Sequence, residues 1–158
     1  MSTLSLPLAN LLRENCSIVM NFCFSRRGLE ELVATKFKGE WKYLHDMLFS
    51  MSEQRATKAC IELALFLRMF DAREEISEYL KQTSNLNFGR LVIENKPDKE
   101  LNIRDVANKI IHADTLSWDC SIAEGPKIIC LASVKEKEKW VRAEIDVVAL
   151  TAFFGMIR

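Results

Sequence analysis

The chain has 158 residues, 49% hydrophobic and 28% charged, a globular rather than disordered balance at a length that suits one domain with a real core. Its 22 basic residues are offset by 22 acidic ones, which argues against strong nonspecific binding to nucleic acid, because phosphate affinity needs a basic excess. With only 5 Gly and 3 Pro it has few turns, so helices are favoured over an all-β architecture.

In chain order, Pro7 suits the first turn of a helix that carries Leu8, Leu11, Leu12, Ile18, Val19 and Phe22 inward. Ser25-Arg-Arg-Gly28 and then Gly39 are read as breaks. Between and after them Leu29, Leu32 and Val33, then Trp41, Leu44, Met47, Leu48 and Met51, recur at helical spacing. Arg26, Arg27, Lys36, Lys38 and Lys42 form the densest basic patch. Glu30, Glu31 and Glu40 are interleaved with it, so a solvated mixed face is the plainer reading.

The strongest helical signal runs from Glu53 to Gln82. Its middle, Ala59 to Phe70, is apolar nearly all round, which predicts packing on several sides. Glu62 and Arg68 interrupt that middle and need partners or an exposed edge. The second half leaves Ile76, Tyr79 and Leu80 as a stripe, and Thr83-Ser-Asn-Leu-Asn is a turn. Phe88 to Ile93 reads as a short strand, closed by Asn95-Lys-Pro97-Asp. Lys127–Val134 and Lys139–Ile145 read as a hairpin around Lys135-Glu-Lys-Glu, and Asp146 to Met156 as a last helix. Trp118 and Trp140 offer stacking faces for a base, with core packing as the default. The expected fold is therefore mainly α: a single domain over 1–158, a bundle of four or more helices with a small peripheral antiparallel β-hairpin.

The start of the chain has no basic leader, and no apolar run is long enough to span a bilayer. Five irregularly spaced cysteines then point to free thiols in a reducing cytoplasm, with no membrane partner. No cofactor or metal is expected. There is no CxxC pair, His45 and His112 are the only histidines, and five scattered glycines form neither a phosphate loop nor a dinucleotide fingerprint.

Ile103 to Ala113 carries the clearest chemistry. Ile103, Val106, Ala107, Ile110 and Ile111 make one apolar stripe of a helix that Asn102 and Asp105 are placed to cap. Arg104, Asn108 and His112 line its edge at i, i+4 and i+8. Arg104 and His112 are about 12 Å apart along the axis, so one helix cannot close both over a single phosphate. An antiparallel second copy can, and this predicts a homodimer. In such a cleft His112 would take a proton from an RNA 2′-hydroxyl, Arg104 would offset phosphate charge, and Asn108 would orient the imidazole. Equally, His112 ends a helix where its cation favours the dipole, and Asn108 satisfies nearby backbone.

Arg104-Asp105 followed by Asn108-Lys-Ile-Ile-His112-Ala resembles the signature helix of the HEPN superfamily of small helical proteins. Many of its members are metal-independent endoribonucleases of toxin–antitoxin and defence systems whose Arg and His meet across a dimer interface. Others are noncatalytic binding or dimerisation modules. The resemblance implies Arg104 as the phosphate-binding Arg, Asn108 as its polar companion and His112 as the catalytic His, with RNA or a protein as partner. Seven residues separate Arg104 from His112 here, where the family's usual spacing is four to six. The leading expectation is an RNA-directed dimeric ribonuclease; the alternative is a noncatalytic helical module that binds protein.

Overall fold

The apolar spacing of the N-terminal third forms a single long helix, α1 (Leu8–Thr35). The Pro7 carbonyl accepts from the Asn10 and Leu11 amides, and Leu8, Leu12, Cys16, Val19, Phe22 and Cys23 are buried. A computed structural model provides this description, for residues 7–37, 42–73, 86–121 and 123–157. The expected break at Ser25–Gly28 does not occur. Arg26–Glu30 and Arg27–Glu31 pairs at i, i+4 bridge it, and a Cβ at Gly28 would meet nothing, so that glycine costs the helix only about 1 kcal/mol.

A π-helical turn, Asp46–Ser50, leads directly into α2 (Met51–Ala72). The turn shifts the register so that Phe49 is buried while Met47 and Met51 are exposed. Along α2 the buried face is Ala59, Cys60, Leu63, Ala64, Leu67 and Phe70. The opposite stripe, Ile61, Leu65 and Met69, is exposed, so α2 packs on α1, on the Ile103–Ile111 helix and on the π-turn but is not covered all round. Arg68 is on that open side, and Glu62 pairs with Lys58 at 3.7 Å. The helix expected to run from Glu53 to Gln82 instead ends at Ala72, where the Arg73 amide donates to the Phe70 carbonyl at 3.3 Å. Trp41 and the Ile76, Tyr79 and Leu80 stripe lie outside the described residues.

The principal correction concerns the sheet. Five antiparallel strands, β1 (Gly89–Val92), β2 (Lys99–Glu100), β3 (Ala113–Asp119), β4 (Lys127–Ala132) and β5 (Arg142–Asp146), pair in the order β2-β1-β5-β4-β3. The protein is therefore an α+β fold, not a mainly helical bundle with a small hairpin. The expected hairpin does form, with Cys130 opposite Ala143 and Ile128 opposite Ile145. It lies in the middle of the sheet instead of at the periphery, since β5 also pairs β1 and β4 also pairs β3.

Alternation gives the sheet two unlike faces. Leu91, Ala143, Cys130, Ile145 and Ile128 point into the core shared with the helices. The other face mixes charge with the outward Ile129 and Leu131 of β4: Arg90 bonds Glu144, and Arg142 reaches the same carboxylate at 3.2 Å. Helices on one side and solvent on the other make a two-layer arrangement. Two further helices complete it. The first, α3 (Ile103–Ile111), packs on α2; the second, α4 (Val147–Met156), packs on α1 and brings Phe153 edge-on to Phe88.

Both short helices start at side-chain caps. Asp146 Oδ1 accepts from the Ala149 amide at 3.1 Å. Asn102 Oδ1 accepts from the Asp105 amide at 2.9 Å while Asp105 accepts from the Asn102 amide at 3.3 Å, a reciprocal capping box. Asn102→Ala should remove about 1 kcal/mol of stability. Thermal melting would register this as a loss of about 2–4 °C, and an unchanged midpoint would mean the cap contributes nothing.

Candidate functional site

The helix α3 presents its residues as its amphipathic pattern requires. Ile103, Val106, Ala107 and Ile110 are buried, Arg104 and His112 are exposed, and Asn108 is half-buried between them. Arg104 Nε lies 2.9 Å from Asp71 Oδ1 at the end of α2. The bond steers the guanidinium towards α2, away from the C-terminal end of α3. Both partners face solvent, so the pair is worth at most about 1 kcal/mol.

His112 is the residue after the last helical turn. Its amide donates to the Asn108 carbonyl at 3.0 Å, and β3 begins at the next residue. The link between Asn108 and His112 thus runs through the main chain. Among the described residues, the Asn108 amide side chain hydrogen-bonds neither Arg104 nor the imidazole. The three residues share one edge, as their spacing requires, but within one copy they do not converge on a common point.

On the other flank of α3, Lys109 Nζ sits 4.7 Å from the centroid of the Trp140 ring. Partial burial lowers the pKa of this ammonium, against the opposing pull of Asp105 and Glu136. Trp140 is a core side chain that ties α3 to the connection between β4 and β5, not an open face for a base.

Two other sequence candidates meet somewhere unexpected. Arg26 and Arg27 of the basic patch, and Trp118 at the end of β3, line one cavity of about 760 Å³. Its charges are largely compensated: Arg26 is 3.2 Å from Glu30 and 3.9 Å from Glu53, and Arg27 is 3.4 Å from Glu31. Trp118 is held edge-on by Phe22, with ring centroids 5.1 Å apart, and its indole N–H donates to Thr57 Oγ1 at 3.4 Å. Those contacts leave Trp118 half-buried as a wall. Cys120, one residue beyond β3, also lines the cavity. The sequence marks all five cysteines only as free thiols; nothing local to Cys120 says that α1 will pass beside it.

Among the described residues no three or more His, Cys, Asp or Glu side chains gather as a metal-ligand set. No helix among them is long and apolar enough to cross a membrane. In comparisons with known proteins, no family model, no curated protein and no solved structure matches this chain.

Proposed function

We propose that this chain is a HEPN-like binding module that pairs with a second copy of itself, with the Arg104–Asn108–His112 edge beside the interface. The observation that carries the reading is the exposed stripe Ile61, Leu65 and Met69 on α2, which ends next to the Asp71–Arg104 pair. Three large apolar side chains at i, i+4 and i+8 give a second α2 a complementary face, and burying them removes apolar area from water at roughly 25 cal/mol per Å². The noncatalytic form is preferred because Arg104 is engaged by Asp71 and, among the described residues, no side chain hydrogen-bonds the imidazole to orient it.

A second reading, a metal-independent endoribonuclease acting through Arg104, Asn108 and His112, draws on one specific observation. The imidazole is exposed at the end of α3, open to an RNA substrate or to Arg104 of a second copy. Its chemistry would be proton abstraction from a 2′-hydroxyl, leaving a 2′,3′-cyclic phosphate.

Sedimentation and an RNA cleavage assay on the same preparation separate these readings. The module is expected to sediment as a dimer at micromolar concentration, to become monomeric with Leu65→Asp, and to leave mixed single-stranded RNA intact. A wild-type protein that stays monomeric at tens of micromolar would sink the self-association. Cleavage that survives EDTA and falls at least about a hundredfold in a folded His112→Ala protein would replace the module with the ribonuclease.

A further inference from the structure

We propose that Cys120 is a modification site for small-molecule disulfides, entered through the Arg26–Trp118 cavity, and that Cys23 is the thiol that resolves the adduct. The inference is independent of the α3 edge and of the self-association proposed above.

The geometry begins with the Phe22–Trp118 contact, which brings α1 against the end of β3. One residue after Phe22 comes Cys23, and two after Trp118 comes Cys120, which makes the two thiols neighbours, near enough that each shifts the other's titration. The two thiols are not equivalent. Cys120 is half-buried and forms part of the cavity wall, whereas Cys23 is 1% exposed and sits behind it. A reagent arriving from solvent therefore meets Cys120 first.

The surroundings sharpen this division. The neighbouring Cys23 thiol holds the Cys120 thiol below its usual pKa, helped by the Arg26 guanidinium and opposed by partial burial, Asp119 and Glu30. Cys23 is pushed the other way, by the neighbouring Cys120 and by burial, and so keeps its proton until Cys120 has reacted. The remaining cysteines are poorly placed to compete. Cys16, Cys60 and Cys130 are buried, and burial raises all three, Cys130 to about 12. Cys16 is further engaged with Thr151 Oγ1 at 3.5 Å.

The chemistry is thiol–disulfide exchange, and it balances without another oxidant. The Cys120 thiolate attacks one sulfur of the small disulfide. A Cys120–S bond forms, the disulfide bond breaks, and the first small thiolate leaves and takes up a proton from water. Cys23 then loses its proton to solvent, and its thiolate attacks the Cys120 sulfur of the mixed disulfide. A Cys23–Cys120 bond forms and the second small thiol is released. One small disulfide is reduced to two thiols as two protein thiols become one disulfide. The two neighbouring sulfurs close to about 2 Å as the bond forms.

The test uses the full reduced chain and oxidised glutathione, with an uncharged disulfide of similar size in a parallel arm, followed by intact mass and peptide mapping. In wild type the glutathione adduct should be transient, giving way to a species two hydrogens lighter than the reduced chain, with Cys23 linked to Cys120. Cys23→Ala should accumulate the mixed disulfide on Cys120, and Cys120→Ser should give neither product. Reaction in only one arm would still support the site and would state its charge preference. The proposal is overturned by adducts spread over several cysteines, by an internal bond joining any other pair, or by a wild-type adduct as persistent as that of Cys23→Ala. It is overturned equally by wild-type Cys120 reacting no faster than the buried thiols. These wild-type readouts stand even if Cys23→Ala does not fold.

Discussion

Gly89→Ala should destabilise the protein by roughly 3–5 kcal/mol, the largest effect expected of any single methyl group in the chain. Gly89 opens β1 with φ +129, a conformation that L side chains rarely adopt. Steric crowding adds to the strain, because a Cβ there would lie 1.9 Å from the main-chain carbonyl oxygen of Glu144 on β5. Backbone cannot swing aside as a side chain can, so β1 and β5 would have to part where Gly89 faces Ile145. Contacts at the same point would be strained with them: the Gly89 amide bonds Asn87 Oδ1 at 2.9 Å, and its carbonyl accepts from Leu101 at 3.0 Å. Against a total stability of about 5–15 kcal/mol, the loss lowers the melting temperature by on the order of 10 °C. Gly28→Ala is the matched control. It sits in the exposed half of α1 with nothing near its missing side chain, and should stabilise by about 0.5–1 kcal/mol. Equal melting temperatures for the two variants would refute the β1–β5 geometry.

Leu67→Ala should cost about 2–5 kcal/mol, the sum of lost transfer energy and the cavity left behind. Leu67 is 1% exposed on the face of α2 that meets the shared core, and α2 packs on both α1 and α3. Little nearby can collapse into the space, since the neighbouring positions on that face, Leu63, Ala64 and Phe70, are themselves buried and fixed in one helix. The same substitution at Leu32, which is 43% exposed on α1, should cost less than about 1 kcal/mol. Denaturant titration of both variants gives the comparison directly. A Leu67→Ala midpoint matching that of Leu32→Ala would mean that α2 is not the centre of the core.

How much was legible beforehand varies by element for identifiable reasons. Asn102 and Asp105 cap α3 as their spacing implies, because a cap involves only residues within one turn. The β4–β5 pairing was readable because Ile128, Cys130, Ala143 and Ile145 alternate and a charged connection joins them. β3 was not. In Ala113-Asp-Thr-Leu-Ser-Trp-Asp119 the inward residues are few, Asp and Ser are weak strand formers, and the strand follows α3 without a loop. β2, with two residues, carries no pattern at all. Missing those two strands turned a central hairpin into a peripheral one, and an α+β sheet into an ornament on a bundle. The expected break in α1 erred in the opposite direction, because one exposed glycine is a weaker signal than two flanking ion pairs.

The candidate site divides along the same line. That Arg104, Asn108 and His112 share an edge follows from the helical repeat alone, and so does their separation along the axis. That Arg104 is drawn to Asp71, that Arg26 and Trp118 wall one cavity, and that Cys23 meets Cys120 depend on residues far apart in the chain. Periodicity, capping and charge balance are local, and the sequence by itself determined them. The sheet order, the open stripe on α2 and the pairing of the two thiols were decided only when helices and strands packed, because each depends on which faces compete to leave water.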